Sequence, residues 1–267
     1  MSHDHIGIPR FLEQGFANDG KVYCHDLVRD KGYQALITRL GTQSNYYDDD
    51  VEKTILADDV EADFAEFYNS FCGSKSHKGM FWALWFNIAT IKRFFRFMFM
   101  RSKKILAMIN DRSVSSKVFG DMDHSELLRI AKDMIVDPFL LAGPMYSLYL
   151  VENQSKEFFI NNSIGFCIIT GCNGKNNSIF MPLNNKRGIL VSSDDYYKQS
   201  LFVVFADDAE VNSLNRRICM NECQIGNDFI FGNNEQLLNP YIGFTRNLKK
   251  KVASHSHSST LPIAEDK

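Results

Sequence analysis

This chain has no Cys-x-x-Cys pair, no uninterrupted apolar run of membrane-spanning length and no strong excess of either charge. Each absence excludes something. The six cysteines stand at 24, 72, 167, 172, 219 and 223, and the spacings of five and four within the last two pairs do not suit a zinc ribbon. Residues 1–7 are polar and offer no apolar core of a secretory leader, so reduced thiols in a cytoplasmic protein are expected. The Asn-x-Ser sequons at Asn153, Asn161 and Asn176 then read as chance matches. A net charge of −2 argues against a surface coated with cations for duplex DNA, local patches aside. The most apolar segment, 78–110, is interrupted by Lys92, Arg93 and Arg96, well short of the roughly twenty apolar residues a membrane span needs. Phe81–Met100 is therefore expected as an internal helix of a soluble domain, apolar nearly all round.

What is present is a chain of 267 residues, 45% hydrophobic, with 22 phenylalanines, enough for a sizeable aromatic core. Its first half reads as helical. Pro9 sets the start of a short helix or turn over Arg10–Phe16, Asn18-Asp-Gly20 makes a turn, and Lys21–Leu27 alternates like a strand. Over 48–72, Leu56, Val60, Phe64, Phe67, Tyr68 and Phe71 recur at helical spacing, with Glu52, Asp59, Asp63 and Glu66 on a second line. Asp123 and Glu126 form a capping box that opens a helix to Val136, which Pro138 ends. From Met145 onward the pattern is of strands: Met145–Val151, Glu157–Ile160, Ile164–Thr170, Ser178–Met181, Gly188–Val191 and Ser200–Phe205. A helix over Ala209–Gln224 and a short strand at Asp228–Phe231 complete it. The expected fold is α+β: a mostly helical N-terminal half packed on a C-terminal antiparallel β half, one domain over 1–248, with 249–267 a disordered tail.

Chemistry-bearing residues cluster at the start, where His3-Asp-His5 runs into Ile8-Pro9-Arg10-Phe11-Leu12 and Gly15-Phe16. His5 and Arg10 place an acid/base group beside an anion-binding group, and the bland reading of the same residues is a packed terminus. Six cations between Lys92 and Lys104 form a ridge, since at about 100° per residue Lys92, Arg96 and Lys103 align. Phosphates, an anionic membrane surface and plain solvent are all open to that ridge. Gly171-Cys-Asn-Gly174-Lys175 echoes a phosphate loop but fails on spacing and on the strand that follows, so a hairpin turn is expected. His255-Ser-His257 lies in the tail, where nothing pre-organises a site.

The N-terminal motif resembles the opening of a large family of bacterial and phage-associated proteins of unknown function, which start with His-x-x-Pro or His-x-x-x-Pro followed by aromatics. Three later stretches are similar too: Tyr46-Tyr47 with Val51-Glu52 and Val60-Glu61; Phe159–Ile164, where the family has Phe-Ile-x-Ser-Asp-Asn-Pro; and Pro182-Leu183 with Ile189-Leu190. At the family's aspartate this chain has Asn162, and Ile164 replaces the proline. The resemblance supplies no reaction. If that aspartate is catalytic, it implies that this member binds without turning over.

Glu52 and Glu61 point about 180° apart on an unbroken helix, and Glu61 is the one placed to meet a partner segment, by salt bridge to Arg10 or the ridge, or else as a general base or metal ligand. The leading expectation is an enzyme acting on nucleic acid, nucleotide or another phosphate-bearing substrate. In it His5 is the acid/base and Glu61 the orienting carboxylate, with Arg10, Asn161, Asn162, Lys92 and Arg96 binding substrate. No spacing indicates a metal ligand set, and a divalent metal stays open as cofactor. The rival is a non-enzymatic protein-interaction module in which the same polar residues lock the terminus to the core.

Overall fold

Asp19 and Gly20 both hold left-handed backbone, at φ 50° and 71°. Asn18 and Lys21 exchange backbone hydrogen bonds across them, at 2.8 and 3.0 Å. An Asp-Gly pair suits such a turn because glycine and aspartate tolerate positive φ. The turn launches β2 (Lys21–Asp26), after β1 (His3–His5) and the five-residue α1 (Arg10–Gln14). The structure is a computed structural model that describes residues 3–5, 8–40, 42–44, 60–100, 126, 147–170, 177–192, 203–225 and 229–257.

Along the chain follow β3 (Lys31–Leu36), β4 (Thr42–Ser44), α2 (Ala62–Gly73), α3 (His77–Phe86) and α4 (Ile88–Met100). Then come β5 (Ser147–Asn153), β6 (Asn161–Asn162), β7 (Cys167–Thr170), β8 (Asn177–Pro182), β9 (Arg187–Ser192) and β10 (Val203–Ala206). The last three are α5 (Asp208–Ile225), β11 (Phe229–Gly232) and α6 (Glu235–His257). The fold is α+β. One sheet has five strands in the order β10-β5-β9-β8-β7, the other four in the order β3-β2-β11-β6, and β1 pairs with β4 alone.

Two features depart from the expected layout. The halves interleave, because β2 and β3 from the start of the chain pair with β11 and β6 from its end. The β half is not wholly antiparallel either: β10 runs parallel to β5, with Val203 beside Leu150. The expected strand over Glu157–Ile160 is irregular backbone whose polar groups bond side chains instead. Asn153 donates to the Glu157 carbonyl at 2.9 Å, and Asn215 accepts from the Ile160 amide at 3.1 Å. The 249–267 tail is helical as far as His257, being the continuation of α6. The 171–176 connection lies between β7 and β8, which pair antiparallel. Residues 48–59 of the first helix and nearly all of the Asp123–Val136 helix lie outside the described residues.

The five-stranded sheet is covered on both faces. Val151, Phe180 and Leu190 meet Leu214 of α5 on one face. On the other, Glu152 bonds His77 of α3, and Arg187 donates to the Cys72 and Ser74 carbonyls at 2.9 and 3.2 Å, closing the end of α2. The apolar stripe expected on α2 is buried, with Phe64 stacked on Phe94 of α4 at 3.7 Å between ring centres. Buried apolar side chains from Ile8 to Ile242 form one cluster. Among the described residues, no helix is long and apolar enough to cross a membrane. Among the described residues, Cys24, Cys72, Cys167 and Cys219 form no disulfide.

Candidate functional site

Pro9 precedes α1 with φ −66° and gives up no needed donor there, since the first turn leaves its amides unpaired. The helix then presses Phe11 against Phe64, Tyr68 and Phe94, with ring centres 5.5–5.9 Å away. Pro9 and Leu12 are buried, Phe11 is half-buried, and Arg10 is left exposed. Glu13, one turn on from Arg10, goes inward. It is 0% exposed and neither carboxylate oxygen has a hydrogen-bond partner. Burial pushes its carboxyl up to about 9, the Arg10 charge pulling only weakly the other way, so Glu13 is neutral at physiological pH.

The expected site residues that are described differ in exposure, Arg10 being exposed and Asn161 and Asn162 fully buried. His5 ends β1, whose partner is β4, and its side chain lies outside the described residues. Glu61 is half-buried in the turn that enters α2. An ion pair between Asp63 of α2 and Arg93 of α4, at 3.5 Å, joins α2 to the ridge. Lys92 is half-buried on α4, and the Arg96 side chain is outside the described residues.

Asn161 and Asn162 have no exposed surface at all. Asn162 donates to the carbonyls of Phe166 and Ile218, at 3.1 and 3.3 Å, and accepts from the Gly165 amide at 2.9 Å. Asn161 donates to the Pro182 carbonyl and accepts the Asn162 amide. Both side chains thus bond backbone groups and tie β6 to α5 and β8. They act as staples, and no face of either is open to a substrate.

The surface that pattern reading missed is on α3. The segment expected as one internal helix over Phe81–Met100 breaks at Asn87, whose side chain folds back onto the Ala83 carbonyl at 2.8 Å. Its two parts differ. In α4 the apolar residues Ile91, Phe94, Phe95, Phe97 and Met98 are buried. In α3 only Met80 and Leu84 are, while Trp82, Trp85 and Phe86 are 44%, 52% and 76% exposed. At about 100° per residue, Lys78, Trp82 and Trp85 fall within about 60° of each other, forming one outward stripe. Trp82 and Phe86 lie nearly parallel, 5.5 Å apart at 20°. Ser76 caps the helix, accepting from the Gly79 amide at 3.1 Å.

Along the chain the charge of this segment is one-sided, although in the fold the Glu152 carboxylate meets His77 at the start of α3. Between Glu66 and Asp111 the chain has no acidic residue and eight lysines and arginines. Of these, Lys75 and Lys78 are exposed beside the stripe. The signals available in the sequence were the asparagine at the break and the confinement of both tryptophans to this segment.

Among the described residues, no group of three or more His, Cys, Asp and Glu side chains is placed to hold a metal ion. Comparison with protein-family models, with curated proteins and with solved structures finds no match to this chain.

Proposed function

We propose that this chain binds single-stranded nucleic acid, with α3 as the stacking surface and the surrounding lysines and arginines as phosphate contacts. One observation carries the reading: three exposed aromatic rings on a helix within an acid-free, cation-rich stretch. Bases stack on such rings whatever their sequence, each contact contributing about 1–3 kcal/mol, while cations beside the rings track the backbone. The exposed apolar residues of α3 are all aromatic and none is aliphatic. That favours flat bases over lipid chains, which aliphatic side chains serve equally well. The proposal is of binding and assigns no reaction.

Fluorescence anisotropy of a labelled twelve-nucleotide oligo-U and oligo-dT tests it. Loss of one stacking contact in Trp82→Ala or Trp85→Ala should weaken binding roughly 5- to 150-fold. Lys78→Ala should lower the salt slope by about 0.7, the value for one phosphate contact on a single strand. Binding that both tryptophan variants leave unchanged would refute the assignment. So would no binding at low salt, with anionic phosphatidylglycerol vesicles bound instead.

A second reading, a protein contact, draws on Phe205. It is 47% exposed on β10, the last strand of the five-stranded sheet among the described residues, and its ring lies 5.5 Å from His77 of α3. That reading expects Phe205→Ala to abolish partner capture and leave oligonucleotide affinity unchanged.

A further inference from the structure

A second cavity in the molecule lies away from α3. On α5, Glu210, Ser213, Leu214 and Arg217 recur at intervals of three and four and so share one face, which lies over the five-stranded sheet. Between that face and the sheet is a cavity of about 180 Å³, walled by Val151, Phe180, Leu190, Val204 and Leu214. Its polar lining is Glu210, Ser213 and Arg217, and Ser213 and Arg217 also border an open cleft of about 700 Å³ on the other side of α5, beside Arg216 and Phe244. The chamber is thus mainly apolar, with the Arg217 guanidinium at its border with solvent.

The charges around that opening are unequally engaged. Each carboxylate there already has a partner: Glu210 accepts from the Asp207 amide at 3.1 Å, Asp208 from the Ser155 hydroxyl, and Glu157 from the Tyr241 hydroxyl at 3.0 Å. Arg216 lies over the Phe244 ring at 5.6 Å. Arg217 has no carboxylate within salt-bridge distance among the described residues. Burial pushes the Cys167 thiol of β7 up to about 12, and the nearby Arg217 charge pulls against this.

We propose that this cavity binds a small amphiphilic carboxylate, its apolar body against Val151, Phe180, Leu190 and Leu214 and its carboxylate on Arg217 and Ser213. A planar guanidinium matches a carboxylate through two parallel hydrogen bonds, and the adjoining hydroxyl can donate a third. Size limits the body. An apolar cavity of about 150 Å³ takes a benzene ring, so this one takes a single ring or an alkyl chain of about six carbons. The site needs neither the α3 surface nor nucleic acid.

Calorimetric titration of the whole chain with hexanoate and with phenylacetate tests the proposal, with acetate and hexan-1-ol as half-ligands. Saturable binding of the two amphiphiles, at least tenfold tighter than either half-ligand, is expected, with a negative heat-capacity change from apolar burial. Arg217→Gln should weaken both amphiphiles at least tenfold and hexan-1-ol hardly at all. Val204→Phe, which fills the chamber, should abolish binding; if it fails to fold, Arg217→Gln alone decides. Equal affinity in wild type and Arg217→Gln would overturn the proposal, as would no saturable binding at millimolar concentrations. Oligonucleotide affinity should be the same in wild type and Arg217→Gln, so a failure here is distinct from a failure at α3.

Discussion

Replacing Glu13 by glutamine should make the protein more stable at neutral pH, and the gain should grow with pH. In the fold the carboxyl is sealed from water without a hydrogen-bond partner, and its pKa rises from 4.5 to about 9. The sign follows from proton counting. Between those values the folded chain keeps a proton that the unfolded chain releases, so stability is fullest below 4.5. It falls by about 1.4 kcal/mol per pH unit and levels off above 9. At pH 7.5, three units above the unfolded value, holding the proton costs about 4 kcal/mol. Glutamine keeps the shape and never ionises, but it buries an amide whose groups lack partners, a penalty of about 1–3 kcal/mol. The net gain at pH 7.5 is therefore about 1–3 kcal/mol, and at pH 4.5 the variant should be no more stable than wild type. Urea melts of both proteins at pH 4.5, 6, 7.5 and 8.5 measure it. A difference between the two that does not change with pH would refute the reasoning, whatever its sign.

Asn162→Asp should destabilise strongly at neutral pH and recover partly in acid, because the side chain would turn an acceptor toward the Phe166 and Ile218 carbonyls that Asn162 now serves as donor. Melting curves at pH 7.5 and 5 show it, and an equal loss at both would count against the staple. Arg187→Met removes the donor that closes α2 at Cys72 and Ser74 and should cost about 1–3 kcal/mol, read from urea melts. Trp82→Ala, on an exposed face, should stay within about 0.5 kcal/mol of wild type, and a larger loss would mean that the ring is part of the core.

Where local pattern governs, the sequence was readable. Phe64, Phe67, Tyr68 and Phe71 recur at helical spacing and the core takes all four. The strands after residue 145 are marked off by asparagine, glycine and lysine clusters, and β5, β7, β8, β9 and β10 fall near their expected places. Long-range choices were not readable. Nothing near Val203 specifies a parallel neighbour, and β3 has no buried residue to give it a period. Glu157–Ile160 looks like a strand by composition, yet Asn153 and Asn215 absorb its backbone groups. The candidate site was hidden by a sound rule applied to the wrong length. Over twenty residues, an all-round apolar segment belongs in a core, but the break at Asn87 frees α3 to face outward. Glu13 was invisible for the opposite reason: a glutamate in a first turn normally suits the helix dipole and solvent, and only packing reveals that this one is sealed in.

The two tryptophans of the chain, Trp82 and Trp85, are both on the α3 surface, so tryptophan emission, excited selectively over the tyrosines, reports on the proposed site. Titrating the unlabelled protein with oligo-U at low salt should quench that emission saturably as bases stack on the rings. Raising the salt should shift the midpoint to higher concentration with a slope of about −0.7 per phosphate contact. Tryptophan emission unchanged at oligonucleotide concentrations that saturate the anisotropy signal would contradict the account.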